Sequence, residues 1–414
     1  MKKTTALPAI IVTALLITSF GVVCFLHVLS NKPIQFVDYW LNAFGVDYQV
    51  FFRASENIIH GQSPYAVALE SNRYVYTPIP ALANIILVPL GFDTARVSLY
   101  VLIPLALALG YLLITLGFAF PQTYRNQVLL AGLACLLFGY PSYFLIQREN
   151  IDGWVFLFLC LGLFFSQRNR MELWSGLFFS LAIAFKLYPV LILLPIFFYR
   201  KWRVLLWTVV WLALLAGLSY PWYRGFRTHL AGRLSDFELS GNGSLVATVV
   251  GFGNLLAAVG IPVPDVIVNH HKEIAAVIYG ALILPVLFVD YRLGKLKKYD
   301  MASAALYVPF MIAWPQLVYP YAFVVCAILI PTMSHLWQNN ANKMQSIVIV
   351  VIAIGIFLSQ SQAFALYNLT GSDLAHAVPG VGLLILMGAI AFHKVLTLRL
   401  SVHADAALPA TQQL

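Results

Sequence analysis

Charged residues are scarce in this chain: Asp, Glu, Lys and Arg make up only 10% of its 414 residues, while 61% are apolar. A soluble protein of this length needs polar and charged side chains to cover its exterior. The low charge therefore excludes an ordinary soluble globular protein. Apolar stretches recur from end to end, and a stretch of about 17–25 residues matches the hydrocarbon thickness of a bilayer. The sequence predicts an all-α polytopic membrane protein.

Cysteine is rarer still, and no Cys–His pattern typical of a zinc site is present. The four cysteines all lie in apolar stretches: Cys24, Cys135, Cys160 and Cys326. This placement predicts buried packing roles and no disulfide framework. No outer cluster pairs two carboxylates convincingly enough to indicate a metal site, and Glu149 with Asp152 comes nearest to such a cluster. The sequence thus predicts neither a metal nor a cofactor.

The first predicted span is residues 6–29, preceded by the basic residues Lys2 and Lys3. A short basic start also occurs in signal peptides, but this apolar run is long and further spans follow it, which favours a retained anchor. About 12 spans are predicted in all, and the others lie near residues 95–118, 128–146, 151–166, 173–186, 188–199, 204–220, 274–291, 302–318, 319–334, 345–365 and 379–397. Together they form one membrane domain over residues 1–400, with a disordered tail at 401–414.

Several of these spans are short and contain proline, which predicts short broken helices. The prolines near the middle of such segments are Pro189, Pro195, Pro315 and Pro320. Broken helices at membrane depth are tolerated where they line a water-filled cavity. The spans therefore predict a bundle that contains short broken helices.

The basic residues divide unevenly between the two predicted faces. With a cytoplasmic N-terminus, cytoplasmic segments hold 15 of the 25 basic residues and only 4 of the 16 acids. Such asymmetry is typical of a correct orientation. It accounts for the net charge of +9 as membrane anchoring, so nucleic acid is not expected as a partner. The predicted location is the bacterial inner membrane.

Two long connections lie on the opposite, non-cytoplasmic face, at residues 30–77 and 221–272. Long loops with little structure of their own are often functional, so we expect the working surface on this face. The first loop begins the most specific part of the sequence. It contains Asp47-Tyr48, then FFRASENIIHGQSPY, then YVYTPIPALANIILVPLG.

This order of an acid, aromatics, a Gly-x-x-Pro-Tyr turn and Tyr-x-Pro resembles family 87 glycosyltransferases, which are membrane enzymes of the GT-C class. The segment SLAIAFKLYPVLILLP is similar to the Lys-x-x-Pro segment of that family, and GNGSL to its Asn-x-Ser-Leu segment. Where the family has Gln-x-Asn, this chain has Gln147-Arg-Glu-Asn150. Where its mannosyltransferases carry late histidines, this chain has Tyr319-Pro-Tyr321. The resemblance covers about residues 40–335 and implies a GT-C-type bundle.

The resemblance implies a sugar donor carried on polyprenyl phosphate and a carboxylate that deprotonates the acceptor hydroxyl. Asp47 lies just past the first span, at the boundary between water and lipid, and is the candidate general base. Asp47 also fits two structural roles, as a cap of a juxtamembrane helix or as a partner of Arg53.

The phosphate of the donor would need cations, and Lys186 is the first candidate because intramembrane cations usually mark function. Snorkelling to the interface is its alternative role. Arg148 is the second candidate, although pairing with Glu149 or Asp152 explains it as well. Arg224 and Arg227 in the second loop either bind phosphate or are simply solvated.

Aromatic and amide side chains near the outer boundary complete the predicted site. Aromatic rings there usually form the interfacial belt, and sugar stacking is the other reading. The candidate substrate-binding residues are Tyr48, Tyr65, Tyr76, Gln147, Asn150, Asn242, Tyr319 and Tyr321.

The predicted function is transfer of a hexose from a polyprenyl-phosphate donor to a glycolipid or cell-surface glycan acceptor, with inversion. The family implies mannose, and glucose is the alternative sugar. A secondary transporter or lipid-glycan flippase is the competing function. Transporters usually place ionisable residues near the midplane and show paired repeats. The spans here are almost free of acids and no repeat is visible, which favours the enzyme.

Overall fold

The structure is a computed structural model, and it describes residues 5–30, 45–66, 68–69, 72–228, 244–258, 260–296, 299–313, 320–339, 342–360 and 374–406. Within these described residues, the α-helices of the N-terminal half are α1 Leu7–Ser30, α2 Val46–Ile59, α3 Pro78–Asn84, α4 Phe92–Gly117, α5 Gln122–Phe138, α6 Tyr140–Arg148, α7 Asp152–Ser166, α8 Glu172–Phe185 and α9 Leu193–Phe198. The C-terminal half contains α10 Trp202–Ser219, α11 Leu245–Ala258, α12 Asp265–Asn269, α13 His271–Leu296, α14 Met301–Ala305, α15 Val308–Ala313, α16 Leu329–Gln338, α17 Lys343–Gln360 and α18 Leu374–Ala406.

Short 3₁₀ helices and one small hairpin join these elements. The 3₁₀ helices are Pro64–Ala66, Ile85–Leu90, Tyr188–Ile192, Tyr220–Trp222 and Pro320–Ile328. The hairpin pairs β1 (Ala68–Leu69) with β2 (Asn72–Arg73) in antiparallel register. The described fold is therefore almost entirely helical, as predicted.

Within the described residues, five helices are long and apolar enough to cross a membrane: Phe92–Gly117, Trp202–Thr228, His271–Lys295, Lys343–Gln360 and Val378–Leu400. Helices α5 and α6 pass the same test as a pair, bent by 55°. The bend falls at Gly139, and Pro141 in the first turn of α6 fits a new helix start because a first-turn N–H needs no partner. The remaining predicted spans correspond to shorter apolar helices. The polytopic helical class is confirmed.

The proline-containing segments are broken as predicted. Pro189 lies in the 3₁₀ helix Tyr188–Ile192, which α9 then continues. Pro320 begins another 3₁₀ helix, Pro320–Ile328, that leads into α16. Proline removes a backbone donor and clashes with the preceding turn, so each of these spans changes winding. Pro315 lies outside the described residues.

The first predicted loop contains a helix that the sequence analysis did not expect. In α2, Tyr48, Phe51, Phe52 and Ser55 are buried while Arg53 is exposed. Apolar residues spaced three and four apart form one face of a helix, and this face packs on α3 and the 3₁₀ helix that follows α3. The helical spacing of the apolar residues within 46–59 would have predicted this helix.

The second predicted loop and the predicted tail also differ from expectation. Helix α11 lies within residues 221–272 and packs against α13 and α18, because an apolar 14-residue segment needs a partner surface. Helix α18 continues to Ala406, into the first residues of the predicted tail, and the disorder of that tail stays a prediction. Residues 407–414 lie outside the description.

Helices α7 and α8 form an antiparallel pair with a different set of charged residues at each end. Asp152 begins α7 and Lys186 directly follows α8, so both lie at one end. The connecting turn at the other end carries Arg168 and Arg170. The paired carboxylate and ammonium groups thus lie opposite a basic turn, which agrees with the charge asymmetry of the sequence.

A buried ion pair joins α18 to α13. The Lys394 ammonium donates to the Asp290 carboxylate at 2.7 Å, and the two side chains are 3% and 0% exposed. The Tyr199 hydroxyl donates to the same carboxylate oxygen at 3.2 Å. Removing one member of a buried pair leaves an uncompensated charge and costs about 3–5 kcal/mol.

We therefore expect Lys394→Met to lower the thermal unfolding temperature in detergent strongly. Combining Lys394→Met with Asp290→Leu should recover much of that loss, because both charges are then gone. Arg399→Met is the matched control, since Arg399 is an exposed cation on the same helix. Equal unfolding temperatures for Lys394→Met and Arg399→Met would contradict the role given to this pair.

Candidate active site

Asp47, in the first turn of α2, is held by two donors from one short segment. The Arg148 guanidinium donates to Oδ1 of Asp47 at 2.7 Å, and the Asn150 amide donates to Oδ2 at 2.6 Å. The Asp47 side chain is 11% exposed. Its two oxygens are therefore fixed in orientation while the group stays in contact with solvent.

Neither structural alternative for Asp47 holds. Arg53 pairs with Glu56 at 2.9 Å, one turn further along α2. The helix begins after Gly45, and no side chain caps it. Asp47 instead connects α2 to residues about a hundred positions later, a contact that local sequence patterns do not reveal.

Asn150 uses both ends of its amide. Its nitrogen donates to Asp47 and, at 3.3 Å, to the Tyr76 hydroxyl. Its oxygen accepts from the Asp152 backbone N–H at 3.1 Å, a bond of the kind that starts a helix. Since an amide has both donors and an acceptor, asparagine can orient Asp47 and close the turn that leads into α7 at once.

A second charged pair lies beside this one. The Lys186 ammonium donates to Asp152 Oδ2 at 2.5 Å, and the Tyr188 hydroxyl donates to Oδ1 at 2.7 Å. Lys186 also lies over the Tyr76 ring, 5.4 Å from its centroid, within the range of cation–π attraction. Asp152 is fully buried, so these donors compensate a carboxylate that could not otherwise remain there.

Tyr76 connects the two pairs. Its hydroxyl accepts from Asn150, its ring faces Lys186, and the Tyr65 hydroxyl donates to its backbone carbonyl at 2.8 Å. The following Thr77 hydroxyl bonds to the Ala184 carbonyl at the end of α8. The Tyr-x-Pro segment thus brings the chain between β2 and α3 against both charged pairs.

The segment between α6 and α7 directs successive side chains to different places. Arg148 and Asn150 reach Asp47, whereas Glu149 between them is only 2% exposed and lies beside Gly45. Glu149 has a φ of 52°, which is uncommon for residues other than glycine and concentrates at functional sites. Burial raises the pKa of Glu149 to about 8, and the Tyr100 hydroxyl and the Arg96 guanidinium offset part of that rise.

The other residues predicted to bind substrate in this region are buried and take part in packing. Tyr48 is buried and stacks on Phe92 with ring centroids 5.8 Å apart. Tyr65 is buried against Tyr74, and its hydroxyl is bonded to a carbonyl. Gln147 is buried, and its backbone carbonyl accepts from the backbone N–H of Gly45 at 3.1 Å.

Among the described contacts, none joins the side chain of Arg224 or Arg227 to the charged pairs. Both are exposed near the end of the span Trp202–Thr228. That end nevertheless packs on the site, because the Phe226 ring lies 6.5 Å from the Tyr65 ring. Asn242 and Tyr319 lie outside the described residues, as does the side chain of Tyr321.

Asp152 and Tyr188 are site residues that the sequence analysis did not select. Asp152 was considered only as a partner of Arg148 or of Glu149. The available signal was an acid at the start of a wholly apolar helix together with a lysine at the end of the next one. In the described part of the chain, no group of three or more His, Cys, Asp or Glu residues lies together as metal ligands.

A helical membrane protein with two adjoining ion pairs at one end of its bundle fits a membrane enzyme or a carrier. The family model "Glycosyltransferase family 87" matches residues 74–312, more than half of the chain. The chain belongs to glycosyltransferase family 87. Asp47 precedes the matched region, whereas Tyr76, Asn150, Asp152 and Lys186 lie within it.

Curated relatives agree with this assignment. GPI mannosyltransferase 1 of Kluyveromyces lactis is 29% identical over 188 residues, covering 43% of each chain. The proteins of the same name from Dictyostelium discoideum and Saccharomyces cerevisiae are each 28% identical over 173 residues, covering 41% and 40% of this chain and 35% and 37% of theirs. The match thus spans less than half the length of these relatives. All are eukaryotic, so they do not support the bacterial inner membrane expected from the sequence.

The position of Gly45 gives a test of the site's packing. Gly45 has a φ of +69°, and a Cβ there would lie 2.9 Å from Arg96 Cδ and 3.2 Å from a Glu149 oxygen. Gly61 has a similar φ of +71° but open space around it. Alanine in this backbone conformation costs about 1–2 kcal/mol.

We expect Gly61→Ala to lower stability by about that amount and Gly45→Ala to lower it further, because Arg96 and Glu149 must move as well. Thermal unfolding in detergent measures both variants. Equal losses would mean that the contacts of Gly45 with Arg96 and Glu149 are unimportant for packing.

Proposed function

We propose that this protein transfers a hexose from a polyprenyl-phosphate donor to a hydroxyl of a glycolipid or surface glycan. Mannose is the favoured sugar, because the curated relatives are named mannosyltransferases, and glucose is the alternative. The observation that carries the proposal is the pair of adjoining ion pairs around Tyr76, in a chain of a glycosyltransferase family. Family membership also favours an enzyme over the transporter or flippase.

In this mechanism Asp47 is the general base. The acceptor hydroxyl oxygen attacks the anomeric carbon, its proton passes to the Asp47 carboxylate, and the bond from that carbon to the phosphate oxygen breaks. The anomeric configuration inverts and polyprenyl phosphate leaves. Each carboxylate oxygen retains a second lone pair beside the one used by Arg148 or Asn150. The two donors therefore position the base without blocking it.

Lys186 and Arg148 are the proposed ligands of the departing phosphate. Both are cations at the same end of the bundle, and developing negative charge is stabilised most by donors that are already oriented. In the absence of substrate each is held by a carboxylate, Asp152 or Asp47. Arg224 and Arg227, exposed where their helix meets Tyr65, are proposed to attract the anionic donor from outside.

The site is proposed to face the non-cytoplasmic side of the membrane. The basic turn of Arg168 and Arg170 lies at the opposite end of α7 from Asp152, and basic connections favour the cytoplasm. The donor and a lipid acceptor would then meet at the boundary between water and hydrocarbon. The bilayer is thus a necessary partner of the reaction.

Replacing the base tests the mechanism. Asp47→Asn in nanodiscs should lower transfer from radiolabelled polyprenyl-phosphate mannose by about 10²–10⁴-fold, the usual contribution of a general base. A membrane glycolipid extract supplies the acceptor, and the glucose donor is assayed in parallel. Asp93→Asn is the control, because Asp93 is 88% exposed. Full activity of Asp47→Asn would remove Asp47 as base, and no transfer from either donor by the unchanged protein would count against the proposal.

A double variant separates the two possible roles of Lys186. Lys186→Met should lower kcat/KM for the donor by about 10–100-fold, the value of a charge-assisted hydrogen bond of about 1.5–3 kcal/mol. The variant Lys186→Met with Asp152→Leu removes both charges and hence the folding defect of an unpaired Asp152. If Lys186 binds phosphate, the double variant stays impaired. Recovery to normal kcat/KM would show that Lys186 only neutralises Asp152.

A further inference from the structure

The C-terminal end of the span Trp202–Thr228 packs on the candidate active site. Its last helical residues are 223–228, which we call the α10 extension. Gly225 in this extension lies directly against the Tyr65 ring. A Cβ at Gly225 would lie 2.7 Å from Tyr65 Cδ2, well inside the usual carbon–carbon contact of about 3.5–4.0 Å. The lack of a side chain at Gly225 therefore lets the extension approach Tyr65 closely.

Tyr65 connects this contact to Tyr76. The Tyr65 side chain is buried, and its hydroxyl donates to the backbone carbonyl of Tyr76 at 2.8 Å. A bond of this length is a well-formed hydrogen bond, so it restrains the backbone from which the Tyr76 side chain projects. The Tyr76 hydroxyl accepts from Asn150, the amide that also binds Asp47. The Tyr76 ring faces Lys186. Direct contacts therefore lead from the α10 extension to both ion pairs.

Other side chains also contact Tyr76, and they do so independently of the extension. The Phe51 ring of α2 lies 4.6 Å from the Tyr76 ring, and the Tyr74 ring lies 5.8 Å from it. These two rings restrain the Tyr76 side chain, whereas the bond from Tyr65 restrains its main chain. Tyr65 contacts Tyr74 as well, with ring centroids 5.5 Å apart. A displacement of Tyr65 would thus reach Tyr76 through both its main chain and its ring.

We propose that Tyr65 is a positioning residue, which relays the position of the α10 extension to Tyr76 and so holds Tyr76 between the two ion pairs. Tyr65 then acts through Tyr76 and not as a ligand of the sugar. In relating this relay to sugar transfer, the inference rests on the proposed function. The base and the cation for the phosphate are both in contact with the group that Tyr65 holds, so displacing Tyr65 should disturb both.

Two glycines of the same span provide a matched pair of variants. A Cβ at Gly217 would have open space around it, whereas a Cβ at Gly225 would meet the Tyr65 ring. Both glycines are helical, and alanine is favoured over glycine within a helix. The backbone therefore accepts alanine at either position, and only Gly225→Ala should push on Tyr65.

Fluorine NMR of the full chain in nanodiscs tests the relay without turnover, with 3-fluorotyrosine in place of Tyr76 as the probe. We expect Gly225→Ala to move the fluorine resonance and Gly217→Ala to leave it in place. Tyr65→Phe retains the ring and removes only the hydroxyl, so it should move the resonance as well. In a Tyr65→Leu background, Gly225→Ala should cause no further shift, because effects that pass through one shared contact are not additive.

Kinetics relate the relay to the reaction. Tyr65→Phe and Gly225→Ala should each lower kcat and kcat/KM for the donor in equal proportion, by about tenfold, as expected when transition-state positioning is lost. Gly217→Ala should transfer sugar at the normal rate. Rates are compared per folded protein, with the folded fraction measured by thermal unfolding, so a loss of stability alone does not change them.

Each outcome bears on the inference. A resonance that Gly225→Ala leaves in place would overturn it, as would an equal shift in Gly217→Ala. A shift by Gly225→Ala that persists in the Tyr65→Leu background would mean that the extension acts by another route, which also overturns it. Normal kcat in both Tyr65→Phe and Gly225→Ala would show that Tyr65 does not position the reaction. The expected shifts without sugar transfer from either donor would support the relay while the proposed function fails.

Discussion

The two hydrogen bonds that Asp47 receives from Arg148 and Asn150 hold the site together. They join a short amphipathic helix to the turn between α6 and α7. Asn150 also accepts from the backbone N–H of Asp152, which begins α7 and pairs with Lys186. One polar turn therefore orients Asp47, the proposed base, and leads into the helix whose first residue holds Lys186, a proposed ligand of the phosphate.

Buried charge explains why these contacts are so specific. Taking an ion out of water costs several kcal/mol in proteins, and only a well-placed counter-ion compensates for it. The chain meets this requirement with Asp47–Arg148 and Asp152–Lys186 at the site and Asp290–Lys394 elsewhere in the bundle. The last pair ties the C-terminal helix to α13. The buried Glu149 instead lies near the Arg96 guanidinium and the Tyr100 hydroxyl.

The membrane architecture was largely predictable because it follows from local composition. Apolar length and proline position predicted the segments near 95–118, 151–166 and 188–199, which became α4, α7 and the broken helix through Pro189. The same reasoning missed α2, because an amphipathic helix of 14 residues is only modestly apolar on average. The short motifs around Tyr76 and Lys186 were sufficient for the family, which a match over residues 74–312 confirms.

The sequence by itself determined the membrane class, the approximate spans, the family and the importance of Asp47 and Lys186 as candidates. Tertiary structure alone decided which charges meet. Asp47 pairs with Arg148 rather than with the nearby Arg53, and Lys186 pairs with Asp152. These partners are 101 and 34 residues apart in the chain. Hydrophobic periodicity acts over one or two helical turns, whereas ion pairing depends on which helix ends are packed side by side.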